Sequence, residues 1–253
     1  MTIKTSIADG IATIEIARPH KKNALTLAMY ELMTDAVRAA MVGHTVRALL
    51  ITGQEGVFTS GNDLEDFMQR PPTGKDSPVF RFMQALADCE KPVIAAVTGV
   101  AVGIGATLLL HCDLVYLSED AHLAMPFVAL GLVPEFASSL LMPQLLGRAK
   151  AAEKLLLGEP ITATEAVEFG IANAVLPAAD VLPHARRMAM RFNQLSPGAV
   201  RDTKRLMRSS SKDGVNRAMH EEAEIFAKRL KTPEAQEAFA AFLSKRKPDF
   251  RKF

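Results

Sequence analysis

The stretch VTGVAVGIGATLLLHCD, residues 97–113, decides the fold. The apolar run VIAAV at 93–97 leads into it. Three glycines then stand within seven residues (Gly99, Gly103 and Gly105), and apolar residues follow at helical spacing. A buried strand that enters a tight glycine turn and leaves as a helix is the repeating unit of an α/β protein. Such a turn leaves N–H groups unpaired at the positive end of the helix. Glycine is equally suited to letting a helix pack closely on a sheet. Gly103-Ile104-Gly105 starts like a dinucleotide fingerprint. However, Leu108 holds the sixth position and no acidic residue follows at a strand end about 20 residues on, so that reading is weak.

A second stretch, GQEGVFTSGNDLEDF at 53–67, repeats the arrangement. It follows the apolar run RALLIT (47–52), carries Ser60-Gly61, and runs into a helix-like segment. Two strand–turn–helix units of this kind can aim two N–H groups at one point, which is how an oxyanion hole is built.

Residues 2–7 and 11–18 alternate apolar and polar around Asp9-Gly10, the pattern of a hairpin. Thr26 caps a predicted helix through residue 41 with Leu27, Tyr30, Met33, Val37 and Met41 on one face. VIAAV and DLVYL (113–117) lack alternation, as strands buried on both faces do. From Pro134 onward the sequence is mostly helical. Pro134-Glu135 has the form of a helix start, and Thr162 with Glu165 forms a capping box. IANAV (171–175) is a last strand, and 178–195, 197–210, 214–230 and 233–246 read as successive helices. Strands stop near residue 195, which divides the chain into an α/β core, 1–195, and a helical C-terminal module, 196–253.

The 253 residues are 49% hydrophobic and 23% charged, an ordinary globular balance. No apolar run reaches the ~18–20 residues of a membrane span, and the N-terminal residues show no secretory or Arg-rich targeting pattern. Cys89 and Cys112 lie outside any CxxC, and the six histidines form no HExxH. Neither disulfide nor metal is expected, and the location expected is cytoplasmic. The net charge of +2 is uneven: residues 201–253 hold 14 Lys/Arg and 8 Asp/Glu, a local +6. Without interleaved aromatics this basic section is not a nucleic-acid motif and reads as a solvated helical surface.

FTSGNDL (58–64) and KPVIAAVTGVAVGIGA (91–106) resemble the two signature regions of the crotonase (enoyl-CoA hydratase/isomerase) superfamily. ARPHKKNALT (17–26), LGEPITATEAVEFGIANAV (157–175) and the ending AFLSKRKPDF (241–250) are similar to that family too. The resemblance implies a crotonase-like spiral of ββα units with a helical C-terminal trimerisation module. It also implies homotrimers or dimers of trimers acting on acyl-CoA thioesters, with no separate cofactor because coenzyme A is part of the substrate. Carried over position by position, the backbone N–H groups of Asn62 and Ile104 are the oxyanion donors. Ser60, Gly61, Asp63, Leu64 and Gly103 shape the turns that hold the thioester. Lys22, Ala24 and Leu25 lie along the nucleotide of coenzyme A, and Lys245 or Arg246 reaches its phosphates within the trimer. Ile104 stands where the family often has glycine, but only its backbone is needed.

Hydratases of this family resemble one another in using two glutamates. Their positions here are Thr107 and Phe127, and neither side chain can activate water or protonate carbon. Glu135, in GLVPEFASS, resembles the sole acid–base of the Δ3,Δ2-enoyl-CoA isomerase branch, with Phe136 at a position commonly glycine there. Phe127 and Phe136 would supply an apolar surrounding that raises the carboxyl pKa, against a helix dipole that lowers it. Asp63 is expected to cap the following helix, and His111 and Asp113 are expected to be structural. The alternatives are an enoyl-CoA hydratase or another crotonase reaction, and a catalytically silent acyl-CoA-binding member.

Overall fold

The computed structural model describes residues 2–54, 56–71, 74 and 76–253; Glu55, in the second quoted turn, lies outside them. In chain order the elements are β1 (Ile3–Ala8), β2 (Ile11–Ile16), α1 (Leu27–Val42), β3 (Ala48–Thr52), β4 (Val57–Thr59), α2 (Leu64–Gln69) and α3 (Pro78–Ala87). Next come β5 (Val93–Val97), β6 (Val100–Val102), α4 (Ile104–Thr107), β7 (Leu114–Ser118), β8 (His122–Ala124), α5 (Ser138–Leu146) and α6 (Arg148–Leu156). The chain then forms β9 (Ile161–Thr162), α7 (Ala163–Glu168), β10 (Ala174–Leu176), α8 (Ala178–Met190), α9 (Pro197–Ser209), α10 (Lys212–Arg229) and α11 (Pro233–Leu243).

The long strands make one sheet of order β1-β2-β3-β5-β7-β10, antiparallel only at the β1–β2 hairpin. Its inner strands alternate between two apolar environments. Leu49, Ile51, Val93, Ala95 and Val97 face the main core, whereas Ala48, Leu50, Ile94 and Ala96 face Val181, Ala185 and Ala189 of α8. Both faces are buried, which is why these strands read as continuous apolar runs.

A second sheet has the order β4-β6-β8-β9. Three strands of the first sheet are each followed by a short one in this second sheet and then by helix, β3 by β4, β5 by β6 and β7 by β8, whereas β10 leads directly into α8. This is the spiral of ββα units. The short strands VFT, VAV and HLA lie in segments read from sequence as loops. With three residues each, they carry no periodicity that could distinguish them.

Other elements match their sequence signals. Asp9 and Gly10 take φ of 52° and 74°, the left-handed pair that closes a two-residue hairpin. The Thr26 side chain caps α1 through Met29 N–H, and Thr162 with Glu165 completes a capping box. The buried stripe of α1 runs through Met29, Tyr30, Met33, Thr34, Val37 and Ala40, with Leu27 and Met41 only at its margin.

Asp113 ties the C-terminal helices to the sheet. Its carboxylate accepts Val93 N–H at 2.7 Å, Lys204 Nζ at 2.5 Å and an Arg208 guanidinium N–H at 3.3 Å. Lys204 is also within 2.6 Å of the Lys91 carbonyl and is buried. Removing one member of a buried pair leaves the other charge uncompensated. Asp113→Ala is therefore expected to lower the unfolding free energy by about 3 kcal/mol, read as a shift in urea midpoint with an unchanged slope. A loss typical of an exposed pair, below about 1 kcal/mol, would show that Lys204 is not held this way.

Candidate active site

The site begins with a pairing of two short strands. β4 and β6 run parallel, with Thr59 opposite Ala101, so the chain leaves both strands side by side. The loop at 60–63 and the turn at 103–104 therefore meet. Gly61 (φ 89°) packs against that turn so closely that a Cβ there would lie 2.9 Å from the Val102 carbonyl oxygen.

On its other side the 60–63 loop pairs with the segment before α1. Leu25 N–H donates to the Gly61 carbonyl and Asp63 N–H to the Leu25 carbonyl, each at 2.8 Å. In a parallel pairing this turns the intervening Asn62 N–H to the side away from Leu25. Gly103 takes φ 56° and ψ −120°, a backbone conformation that residues with a side chain rarely adopt. Its own carbonyl accepts Ala106 and Thr107 N–H, while Ile104 N–H is left outside. Among the described residues neither Asn62 N–H nor Ile104 N–H has a hydrogen-bond partner.

Asp63 behaves as expected of a cap. Its carboxylate accepts Glu65 and Asp66 N–H at 3.1 and 3.2 Å and pairs with Arg18 at 2.6 Å. Burial pushes its pKa up, but Arg18 and the helix-start amide more than offset this and hold it below the ordinary value. Ser60 N–H donates to the Lys22 carbonyl at 3.1 Å. Lys22 is exposed, Ala24 and Leu64 are half-buried, and Leu25 is buried. Lys245 is exposed just beyond α11, and Arg246 is engaged by Glu237 at 2.6 and 3.0 Å.

Thr107 and Phe127, the two positions without an acid, are both buried. Thr107 Oγ1 lies 3.5 Å from the Ile104 carbonyl, and the Phe127 ring packs on the open face of Gly103.

Glu135 is not in a helix start. α5 begins at Ser138, and two consecutive left-handed residues, Phe136 (φ 60°) and Ala137 (φ 56°), separate Glu135 from it. The helix-start reading of Pro134-Glu135 is thus corrected: the chain reverses before the helix can form. Glu135 is 6% exposed, and its Oε1 has no partner among the described residues. It lines a cavity of about 40 Å³ with Phe67, Phe80, Met83, Met219 and Phe226. Burial, and secondarily the charge of Glu222, push its pKa up to about 8. Burial prevails over the helix dipole because Glu135 does not occupy the helix end.

Three further residues complete the surroundings. Tyr30, from the buried face of α1, donates its hydroxyl proton to Asn62 Oδ1. Burial, and then the Glu135 charge, raise the Tyr30 pKa well above its usual value. His111, neutral because burial lowers its pKa to about 4, donates Nε2–H to the Phe136 carbonyl at 2.7 Å. Its ring stacks on that of Phe136 at 3.8 Å. Glu222 of α10 accepts the N–H of Ala137 at 2.6 Å and that of Ser139 at 2.9 Å. Sequence reasoning placed Tyr30 only in the core. A hydroxyl in an otherwise aliphatic stripe was the available signal, since a buried tyrosine needs a partner.

Comparison with known proteins establishes the family. The model of the enoyl-CoA hydratase/isomerase family matches residues 6–252. The chain belongs to the enoyl-CoA hydratase/isomerase family. It is 34% identical to human enoyl-CoA delta isomerase 2, matching 97% of this chain and 64% of that longer protein. It is equally 34% identical to crotonyl-CoA hydratase of Syntrophomonas wolfei, over 96% of this chain and 95% of that one. Among solved structures, OdaA of Pseudomonas aeruginosa superposes with a TM-score of 0.94 at 52% identity, covering 96% of this chain and 98% of that one. The chain is therefore an acyl-CoA-processing enzyme of the crotonase fold, with relatives named for both isomerisation and hydration.

The raised Glu135 pKa has a consequence for stability. Between pH 4.5 and 8 the folded state keeps a proton that the unfolded state has lost, so stability falls as pH rises through this window. Glu135→Gln removes this dependence. Its urea stability relative to wild type is expected to rise by at least about 1 kcal/mol between pH 5 and pH 8. A difference independent of pH would mean the carboxyl ionises normally.

Proposed function

We propose that this enzyme is a Δ3,Δ2-enoyl-CoA isomerase in fatty acid metabolism. What supports the reading is Glu135, a buried carboxyl whose Oε1 has no partner among the described residues, while the positions of the two hydratase glutamates hold Thr107 and Phe127.

The chemistry follows from the placement. The thioester carbonyl of a 3-enoyl substrate accepts hydrogen bonds from Asn62 N–H and Ile104 N–H. Charge that develops on that oxygen when a C2 proton leaves is stabilised there, and one such donor is typically worth about 100- to 1,000-fold in rate. The Glu135 carboxylate takes the C2 proton, the electron pair delocalises into a dienolate, and the protonated carboxyl returns the proton at C4. The double bond moves from C3–C4 to C2–C3, into conjugation, and nothing is added or lost. Water plays no part, so an apolar cavity is an advantage, and a carboxyl pKa of about 8 suits a base that must also act as an acid.

In this reading Lys22, Ala24 and Leu25 line the nucleotide of coenzyme A. Lys245, exposed at a helix end, reaches its phosphates in a homotrimer or a dimer of trimers. Exposed apolar side chains such as Leu156, Leu157, Leu206, Met207 and Phe242 support burial against further copies of the chain.

The test is parallel incubation of the pure enzyme with 3-hexenoyl-CoA and crotonyl-CoA. The conjugated 2-enoyl product is expected to form from the first. Glu135→Gln is expected to slow that reaction by about 100-fold or more. Rapid hydration of crotonyl-CoA, unaffected by Glu135→Gln, would replace this reading with a hydratase. Binding of both thioesters without turnover would indicate a silent member of the family.

A further inference from the structure

Glu222 belongs to none of the turns that build the oxyanion donors. It comes from α10, yet its carboxylate reaches the segment immediately after Glu135. One oxygen accepts Ala137 N–H, and the other accepts both Ser139 N–H and the Ser139 hydroxyl. These are amides at the start of α5, where four N–H groups lack intrahelical partners. Ala137, the N-cap residue, offers no side chain to satisfy them. Glu222 therefore caps α5 from a different helix.

Capping matters here because of what precedes it. Phe136 and Ala137 both hold left-handed φ values although neither is glycine, a conformation that persists only when its surroundings enforce it. Enforcement comes from two sides. His111 holds the Phe136 carbonyl and stacks on its ring, while Glu222 holds the next amide. The resulting reversal turns Glu135 away from the helix and into the apolar cavity, which Glu222 also lines.

We propose that Glu222 is a positioning residue for Glu135: it clamps the left-handed turn that presents the Glu135 carboxyl to the cavity and sets a second carboxylate beside it. This rests on the isomerase reading only for what the carboxyl does, not for how it is held. The titratable groups facing the pair are Tyr30 from α1, His111 from the turn after α4, and Glu221 and His220 on α10, where His220 stacks on Phe80 of the cavity wall. Glu222 is itself pushed upward by burial, and its three donors pull it back down. Burial prevails, so the Glu222 carboxyl lies above its ordinary value, and its charge is the second cause, after burial, that raises Glu135.

The experiment uses the full chain, with glutamate carboxyl carbons labelled with carbon-13. The Glu135 signal is assigned by its loss in Glu135→Gln. In Glu222→Gln the Glu135 titration midpoint is expected to fall by about half a pH unit or more. The acid limb of kcat for 3-hexenoyl-CoA is expected to move with it, and kcat to drop several-fold while KM changes less than about twofold. A folded Glu222→Gln protein whose Glu135 midpoint and kcat limb stay in place overturns the proposal. If Glu222→Gln does not fold, Ser139→Ala, at an exposed position, removes one donor. It is then expected to raise the Glu222 midpoint, and an unmoved midpoint overturns the clamp. A wild-type enzyme that titrates as described but does not isomerise leaves the clamp standing and removes the isomerase reading. An active wild type whose Glu135 ignores Glu222→Gln removes the clamp alone.

Discussion

The parallel pairing of β4 with β6 is the constraint on which the rest of the molecule depends. Three residues per strand contribute little burial of their own. Their effect is to fix the relative height of two chain reversals, so that the loop at 60–63 and the turn at 103–104 lie side by side and, in the proposed function, supply the two donors. The contact at Gly61 and the conformation at Gly103 leave no room for alternatives, because a side chain at either position meets neighbouring backbone or a forbidden dihedral pair. Preorganisation of this sort costs nothing at the moment of reaction, because the donors are already oriented when the substrate arrives.

The carboxyl is held by a different principle. Glu135 sits among aromatic and methionine side chains with one oxygen unpaired, a state that opposes its ionised form and is unfavourable to folding at neutral pH. The fold tolerates it because the adjoining backbone is over-determined. His111, a neutral donor, and Glu222, an acceptor, hold the two ends of the single peptide group that joins the two left-handed residues Phe136 and Ala137. Stability given up at the reacting group is offset by packing elsewhere, in the two apolar layers that enclose the main sheet.

Much of this was legible in the sequence. The inner strands announced themselves as unalternating apolar runs, the hairpin by Asp9-Gly10, and two of the helices by Thr26 and Thr162 at their starts. The two glycine turns could be singled out because each has a local pattern, whereas Glu135 was singled out by resemblance to the isomerase branch, its local pattern being that of a helix start. What could not be read depends on distance. β4, β6 and β8 are too short to have a period, and they exist only because they pair with one another. Glu222 lies 85 positions from the amide it holds. Pro134-Glu135 has the local form of a helix start and fails to be one because two residues downstream adopt dihedral angles that tertiary contacts impose. Local rules lost at the places where the chain departs from its own preferences, which are the places nearest the chemistry.

In the proposed isomerisation the polarising groups are peptide N–H bonds, whereas the proton carrier is a side chain on a separate reversal of the chain. An inventory of amino acids therefore records only half of the reacting apparatus. Substitution can erase or relocate the acid without disturbing the electrophilic half, since any residue except proline supplies the same amide. Such a division is compatible with one scaffold's near-equal likeness to proteins named for adding water and for shifting a double bond, the two differing in the number and place of their carboxyl groups.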